Sequence, residues 1–116
     1  MNEKFKRLFV ETKTFTENWF KLGLTQSDLY ELQNDLLDDP KIGDVIQQTG
    51  GVRKLRYILK DKGKRGGCRV IYVDIEIAET IFLLDVYPKS RKVDLSQSEK
   101  RRIKQLVEQL KEASKP

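Results

Sequence analysis

The chain has 116 residues, the length of one ordinary domain, of which 38% are apolar, 35% charged and ten aromatic. That balance supports an ordered core and argues against wholesale disorder. The longest apolar run, Ile81 to Leu84, is four residues, against roughly 20 for a membrane helix, so neither a span nor a secretion signal is expected.

A single cysteine, Cys68, and the absence of histidine leave no intrachain disulfide and none of the usual zinc or iron ligand sets. Every catalytic scheme with an imidazole base is also excluded, so proton transfer falls to Lys, Tyr, Asp, Glu or Cys. The expectation is a reducing cytosol and chemistry without metal or cofactor.

The net charge of +5 is unevenly spread. Residues 1–50 hold six Lys/Arg and nine Asp/Glu (−3), whereas residues 51–116 hold 17 and nine (+8). A local excess of that size favours a polyanionic partner, with RNA or DNA ahead of an anionic membrane.

The whole chain reads as one domain, with only Ala113 to Pro116 frayed. Arg7 to Glu11 suits a short strand. A first helix follows, with Thr14 as its cap, Glu17 three residues later, and Phe15, Trp19 and Leu22 at helical spacing up to Gly23. Thr25 caps a second helix, stapled by Leu24 and Leu29, striped by Leu29, Leu32 and Leu36, and stopped at Asp39-Pro40. After turn chemistry over residues 43–51, Val52 to Leu59, Cys68 to Ile75 and Thr80 to Val86 read as an antiparallel meander. Ser96 and Glu99 form a capping box for a last helix, with Ile103, Leu106, Val107 and Leu110 on one face, ending near Ala113. The order βααβββα predicts an α+β domain, an antiparallel sheet with helices on one face and an open basic face.

Alternation along Val52 to Leu59 puts Leu55, Tyr57 and Leu59 on one face and Lys54 and Arg56 on the other. The loop to the next strand adds Lys60, Lys62, Lys64 and Arg65 around three glycines, Arg69 opens that strand, and Tyr87, Lys89, Arg91 and Lys92 follow the last one. Singly, each has an ordinary explanation as solvated surface. Jointly, Lys54, Arg56, Arg69, Tyr87 and Lys89 converge on one patch if the meander is right, while Arg53, Lys60, Lys62, Lys64, Arg65, Arg91 and Lys92 surround it as contacts for RNA. Asp85 and Asp94 suit ion pairing or capping, and Cys68 suits a small core position.

A histidine-free cationic site fits attack of an RNA 2′-hydroxyl on the adjacent phosphate, because the substrate supplies the nucleophile. Lys54 or Lys89 is then a candidate base, Arg56 and Arg69 stabilise the pentavalent phosphate, and Tyr87 stacks on a base or positions the scissile bond.

Gly43-Asp44-Val45-Ile46-Gln47-Gln48-Thr49-Gly50-Gly51-Val52-Arg53-Lys54-Leu55-Arg56, residues 62–72, Leu84 to Lys89 and Asp94-Leu95-Ser96 together resemble the HigB branch of the RelE/ParE toxin superfamily, over most of residues 8–110. The resemblance implies the toxin of a bacterial type II toxin–antitoxin pair, which cleaves mRNA in the ribosomal A site and arrests growth. It further implies neutralisation by a helix-turn-helix antitoxin, through which alone the toxin meets operator DNA and represses its operon. Lys54, Arg56, Arg69 and Lys89 match the family's basic positions. The chain departs from the RelE pattern after Asp94, where Leu95 and Ser96 stand in the region of a catalytic tyrosine, leaving Tyr87 as a substitute. Two alternatives are a ParE-like DNA gyrase poison, which lacks the basic patch, and a module that binds RNA or ribosomes without cutting.

Overall fold

The computed structural model describes residues 5–58, 67–91 and 95–116. Its elements are β1 (Leu8–Glu11), α1 (Lys13–Lys21), α2 (Gln26–Asp38), β2 (Asp44–Val45), β3 (Arg53–Tyr57), β4 (Cys68–Ile75), β5 (Thr80–Pro88) and α3 (Gln97–Ala113), with a 3-10 turn at Glu76–Ala78 between β4 and β5. They form one five-stranded sheet in the order β1-β5-β4-β3-β2.

The α+β class and the β3-β4-β5 meander stand, with three corrections. β1 pairs with β5 in parallel, an edge contact between strands distant in sequence that no local pattern announces. Asp44 and Val45, read as part of a turn, form a short strand against Arg53 and Lys54. The helices also do not share one face. Phe15, Trp19, Leu29, Leu32 and Leu36 of α1 and α2 pack on Tyr57, Cys68, Val70, Tyr72, Ile81, Leu83 and Val86, whereas Val107 and Ile103 of α3 pack on Val52, Ile71, Val73, Ile75, Phe82 and Leu84. The cause lies in β4, where Val70 to Val73 is an unbroken apolar run buried on both faces, so the sheet needs cover on both sides. Leu106, assigned to the buried face of α3, is 42% exposed.

The helix caps follow from hydroxyl chemistry. Thr25 and Ser96 each accept from the backbone three residues on, in full capping boxes with Asp28 and Glu99. For α1 the cap is Thr12, not Thr14: its hydroxyl oxygen accepts from the Phe15 amide at 3.1 Å and its proton goes to the Leu84 carbonyl at 2.8 Å. That second bond ties the start of α1 to β5. The Gly50-Gly51 pair, with φ of +81° and +110°, turns the chain into β3 through a left-handed geometry that other residues adopt at a cost.

One irregularity decides what the sheet presents. Ile71 pairs with Asp85 but Tyr72 pairs with Leu83, so Leu84 is the extra residue of a β-bulge. Ile81 and Leu83 point to the α1/α2 layer before the bulge and Val86 points there after it. The parity of β5 is thus reset, and Tyr87 emerges on the α3 side with Leu84 and Phe82.

Candidate nucleic-acid site

With that parity, Arg56 of β3, Arg69 of β4 and Tyr87 of β5 stand in one cross-strand row, spanning roughly 10 Å between the outer strands. Lys54, Ile71 and Asp85 make the next row on the same face. The α3 layer covers the far part of this face, so the open surface foreseen for the whole sheet is confined to the end beyond the helix N-terminus. Placing two arginines directly opposite one another works against the sheet, which marks the row as something other than structural.

Arg69 is the centre of the row and only partly exposed. Its Nε is buried and has no hydrogen-bond partner among the described residues. An unspent donor on a guanidinium is costly in a protein interior and suited to an anionic oxygen. Arg56 and Lys54 are exposed beside it.

Tyr87 is half-buried, and its hydroxyl is hydrogen-bonded to Asp85. Burial first, then that bond and the Asp85 charge, push its pKa up to about 12 against an opposing effect of Arg91. The phenol is neutral at physiological pH and serves as a donor or a wall, not as a base. The Arg91 guanidinium lies over its ring, 5.0 Å from the centroid, which occupies one of the two faces on which a nucleobase was expected to stack.

Asp85 in turn accepts from Asn18 Nδ2 and from the Val86 amide, both at 2.8 Å. It holds the bulge and Tyr87 together, a role that ion pairing or capping did not describe. Broken alternation was the available signal: the apolar positions 81 and 83 give way to 86 rather than 85.

Lys89 follows β5, and its Cδ would come within 2.9 Å of a Cβ built at Gly67. A side chain at position 67 would displace the lysine stem. Arg53 does not join the group. It shares the α1/α2 face with Leu55 and Tyr57, and its guanidinium donates to the Lys41 and Gly43 carbonyls at 3.0 and 2.6 Å, where it pins the loop after α2. Lys60, Lys62, Lys64, Arg65, Lys92 and Asp94 lie outside the described residues.

The position after Asp94 has a structural use. Ser96 caps α3, and Leu95 lines a cavity of about 290 Å³ shared with Asp85, Tyr87 and Glu99. Cys68 is 1% exposed, and burial pushes its thiol up to about 12, so it is a core residue and not a nucleophile at neutral pH. Among the described residues, no group of three or more carboxylates or thiols is placed to hold a metal ion, and no helix is long and apolar enough to cross a membrane.

Residues 6–116 match the family model described as the RelE toxin of the RelE/RelB toxin–antitoxin system. The chain belongs to the RelE toxin family. This member is accordingly the toxin half of a toxin–antitoxin pair, and the likeness extends to shape. A free-state structure of a mutant of the E. coli toxin RelE superposes with a TM-score of 0.52, covering 73% of this chain and 85% of that one at 17% identity. At that identity the superposition speaks for the RelE fold alone.

Proposed function

We propose that this toxin is a ribosome-dependent endoribonuclease that cuts mRNA in the A site. The observation that carries the reading is the Arg56–Arg69–Tyr87 row with the unpartnered Nε of Arg69 at its centre.

In this reading the scissile phosphate seats on Arg69, whose Nε donates to a non-bridging oxygen, with Arg56 sharing the developing charge. The substrate's 2′-oxygen attacks phosphorus while its proton passes to Lys54 or Lys89. The bond from phosphorus to the 5′-oxygen breaks, and that oxygen takes a proton from solvent as it leaves. Tyr87, neutral and tethered to Asp85, fixes Arg91 against the phosphate backbone. Among the described residues the site has few base-reading groups, which fits dependence on a ribosome that presents the mRNA in a strained, in-line geometry.

The resemblance to the HigB branch extends the proposal to a helix-turn-helix antitoxin that neutralises the toxin and, with it, represses their operon.

Product chemistry tests the cleavage. Purified toxin, incubated with ribosomes programmed with a defined mRNA, is expected to leave a 2′,3′-cyclic phosphate (or its 3′-phosphate product) and a 5′-hydroxyl. The same mRNA without ribosomes should stay intact. A 5′-phosphate product would overturn the 2′-hydroxyl route, and ribosome binding without cuts would leave a non-catalytic binding module.

A further inference from the structure

Arg69 and Asp85 are placed to be partners. Arg69 pairs with Tyr87 and Ile71 with Asp85, in regular antiparallel register, so Arg69 and Asp85 are diagonal neighbours on one face, about 7–8 Å apart and within reach of a long side chain. A guanidinium with a buried donor to satisfy and a carboxylate at that spacing are expected to pair. Among the described residues no such pair forms. The Arg69 Nε meets no acceptor, and Asp85 is bonded instead to Asn18, to the Val86 amide and to Tyr87.

The reason lies at the edge of the sheet. β1 runs beside β5 only as far as the Glu11–Leu83 pair, after which the chain leaves the sheet and becomes α1, packed on β5. Beyond Leu83, among the described residues, no strand borders the outer edge of β5. Asp85 belongs to the α3 face and Asn18 to a helix of the opposite layer. Their bond of 2.8 Å therefore passes around that outer edge, on the side of β5 away from β4 and Arg69.

The other two donors to Asp85 stand on β5 itself, so only Asn18 fixes the carboxylate against a second element. A neutral amide does this without adding charge to the site. Asparagine is also among the less favourable residues inside a helix, and Asn18 stands inside α1 and is only partly buried. Helix formation and core packing do not account for it.

We propose that Asn18 is a positioning residue of the cleavage site: it holds the Asp85 carboxylate at the outer edge of β5, so that the Arg69 guanidinium on β4 keeps its donor for the scissile phosphate. This deepens the ribonuclease reading above and rests on it. Without Asn18, the carboxylate crosses to the neighbouring strand and takes the donor that the phosphate needs.

The test follows the Arg69 Nε–H in the proton–nitrogen correlation spectrum of the whole toxin, assigned by its absence from R69K, in wild type, N18A, D85N and N18A/D85N. Alanine favours a helix more than asparagine does, so N18A keeps α1, and the dispersion of the same spectrum checks that it is folded. The resonance is expected to move downfield in N18A, as a charged hydrogen bond forms, and to stay at its D85N position in N18A/D85N. On ribosomes programmed with a defined mRNA, N18A should lower the single-turnover cleavage rate by about 10–100-fold, short of the loss expected when the donor itself is removed. N18A/D85N should cut at the D85N rate, because the charge that would cross is gone.

A merely structural role for Asn18 would leave the resonance in place and give losses that add in the double variant. Either result would overturn the proposal and leave the cleavage reading standing, as would an N18A toxin that cuts at the wild-type rate. Wild-type toxin that leaves ribosome-bound mRNA intact would overturn the cleavage reading, and the assignment of Asn18 to it, even where the resonance moves.

Discussion

Replacing Arg69 by methionine is expected to lower cleavage of ribosome-bound mRNA by about 10²–10³-fold, the range seen when one donor aimed at developing oxyanion charge is removed. The same change should leave stability at or above the wild-type level. Methionine keeps an unbranched apolar stem between Arg56 and Tyr87, removes a like-charge pair across β3 and β4, and deletes a buried donor that has no partner. Activity and stability therefore move in opposite directions, as they do where a site holds groups the fold would not choose. Arg69→Lys should recover only part of the activity, because an ammonium lacks the fixed fork of donors. Thermal melts and single-turnover cleavage on programmed ribosomes check this. A variant that loses stability but keeps its cleavage rate would show that Arg69 is a framework residue.

The largest stability effect is expected at the single tryptophan. Trp19 is fully buried, stacks on Phe15 with centroids 5.5 Å apart, and donates from Nε1 to the Thr25 carbonyl at 2.9 Å. That bond ties α1 to the cap of α2, so the ring holds two helices to each other and both to the sheet. Trp19→Ala should cost about 3–5 kcal/mol, a drop in Tm of about 10–25 °C for a domain of this size. Trp19→Phe should cost far less: it keeps most of the apolar ring, and the Thr25 carbonyl still accepts from the Leu29 amide. Far-UV circular dichroism is the measurement, since the mutation removes the fluorophore. An alanine variant that melts within a few degrees of wild type would contradict this assignment of the core.

Much of this was legible because the signals are local. Hydroxyls at Thr25 and Ser96 announced two helix starts, the alternation of Lys54 and Arg56 with Leu55 and Tyr57 gave their face, and apolar spacing gave the buried stripes of α1 and α2. Arg53 could have been excluded from the patch by the same rule, since it stands in phase with Leu55 and Tyr57. What escaped was non-local or irregular. The partner of β1 lies some 70 residues away. The second buried face of β4 was written in the run Val70 to Val73, but a helix to cover it had to be placed in three dimensions. The bulge at Leu84 was hidden in a break of period, and with it went the role of Asp85, whose partners Asn18 and Tyr87 meet only after β5 changes phase.

The most direct measurement is a map of new transcript 5′ ends after brief expression of the toxin in bacteria, with and without ongoing translation, for wild type and an Arg56→Ala/Arg69→Ala variant. The expected result is cuts inside open reading frames, in register with codons, that vanish when translation is blocked and when the two arginines are removed from a folded protein. Growth arrest with intact transcripts and a DNA-damage response would contradict the ribonuclease reading and point to gyrase.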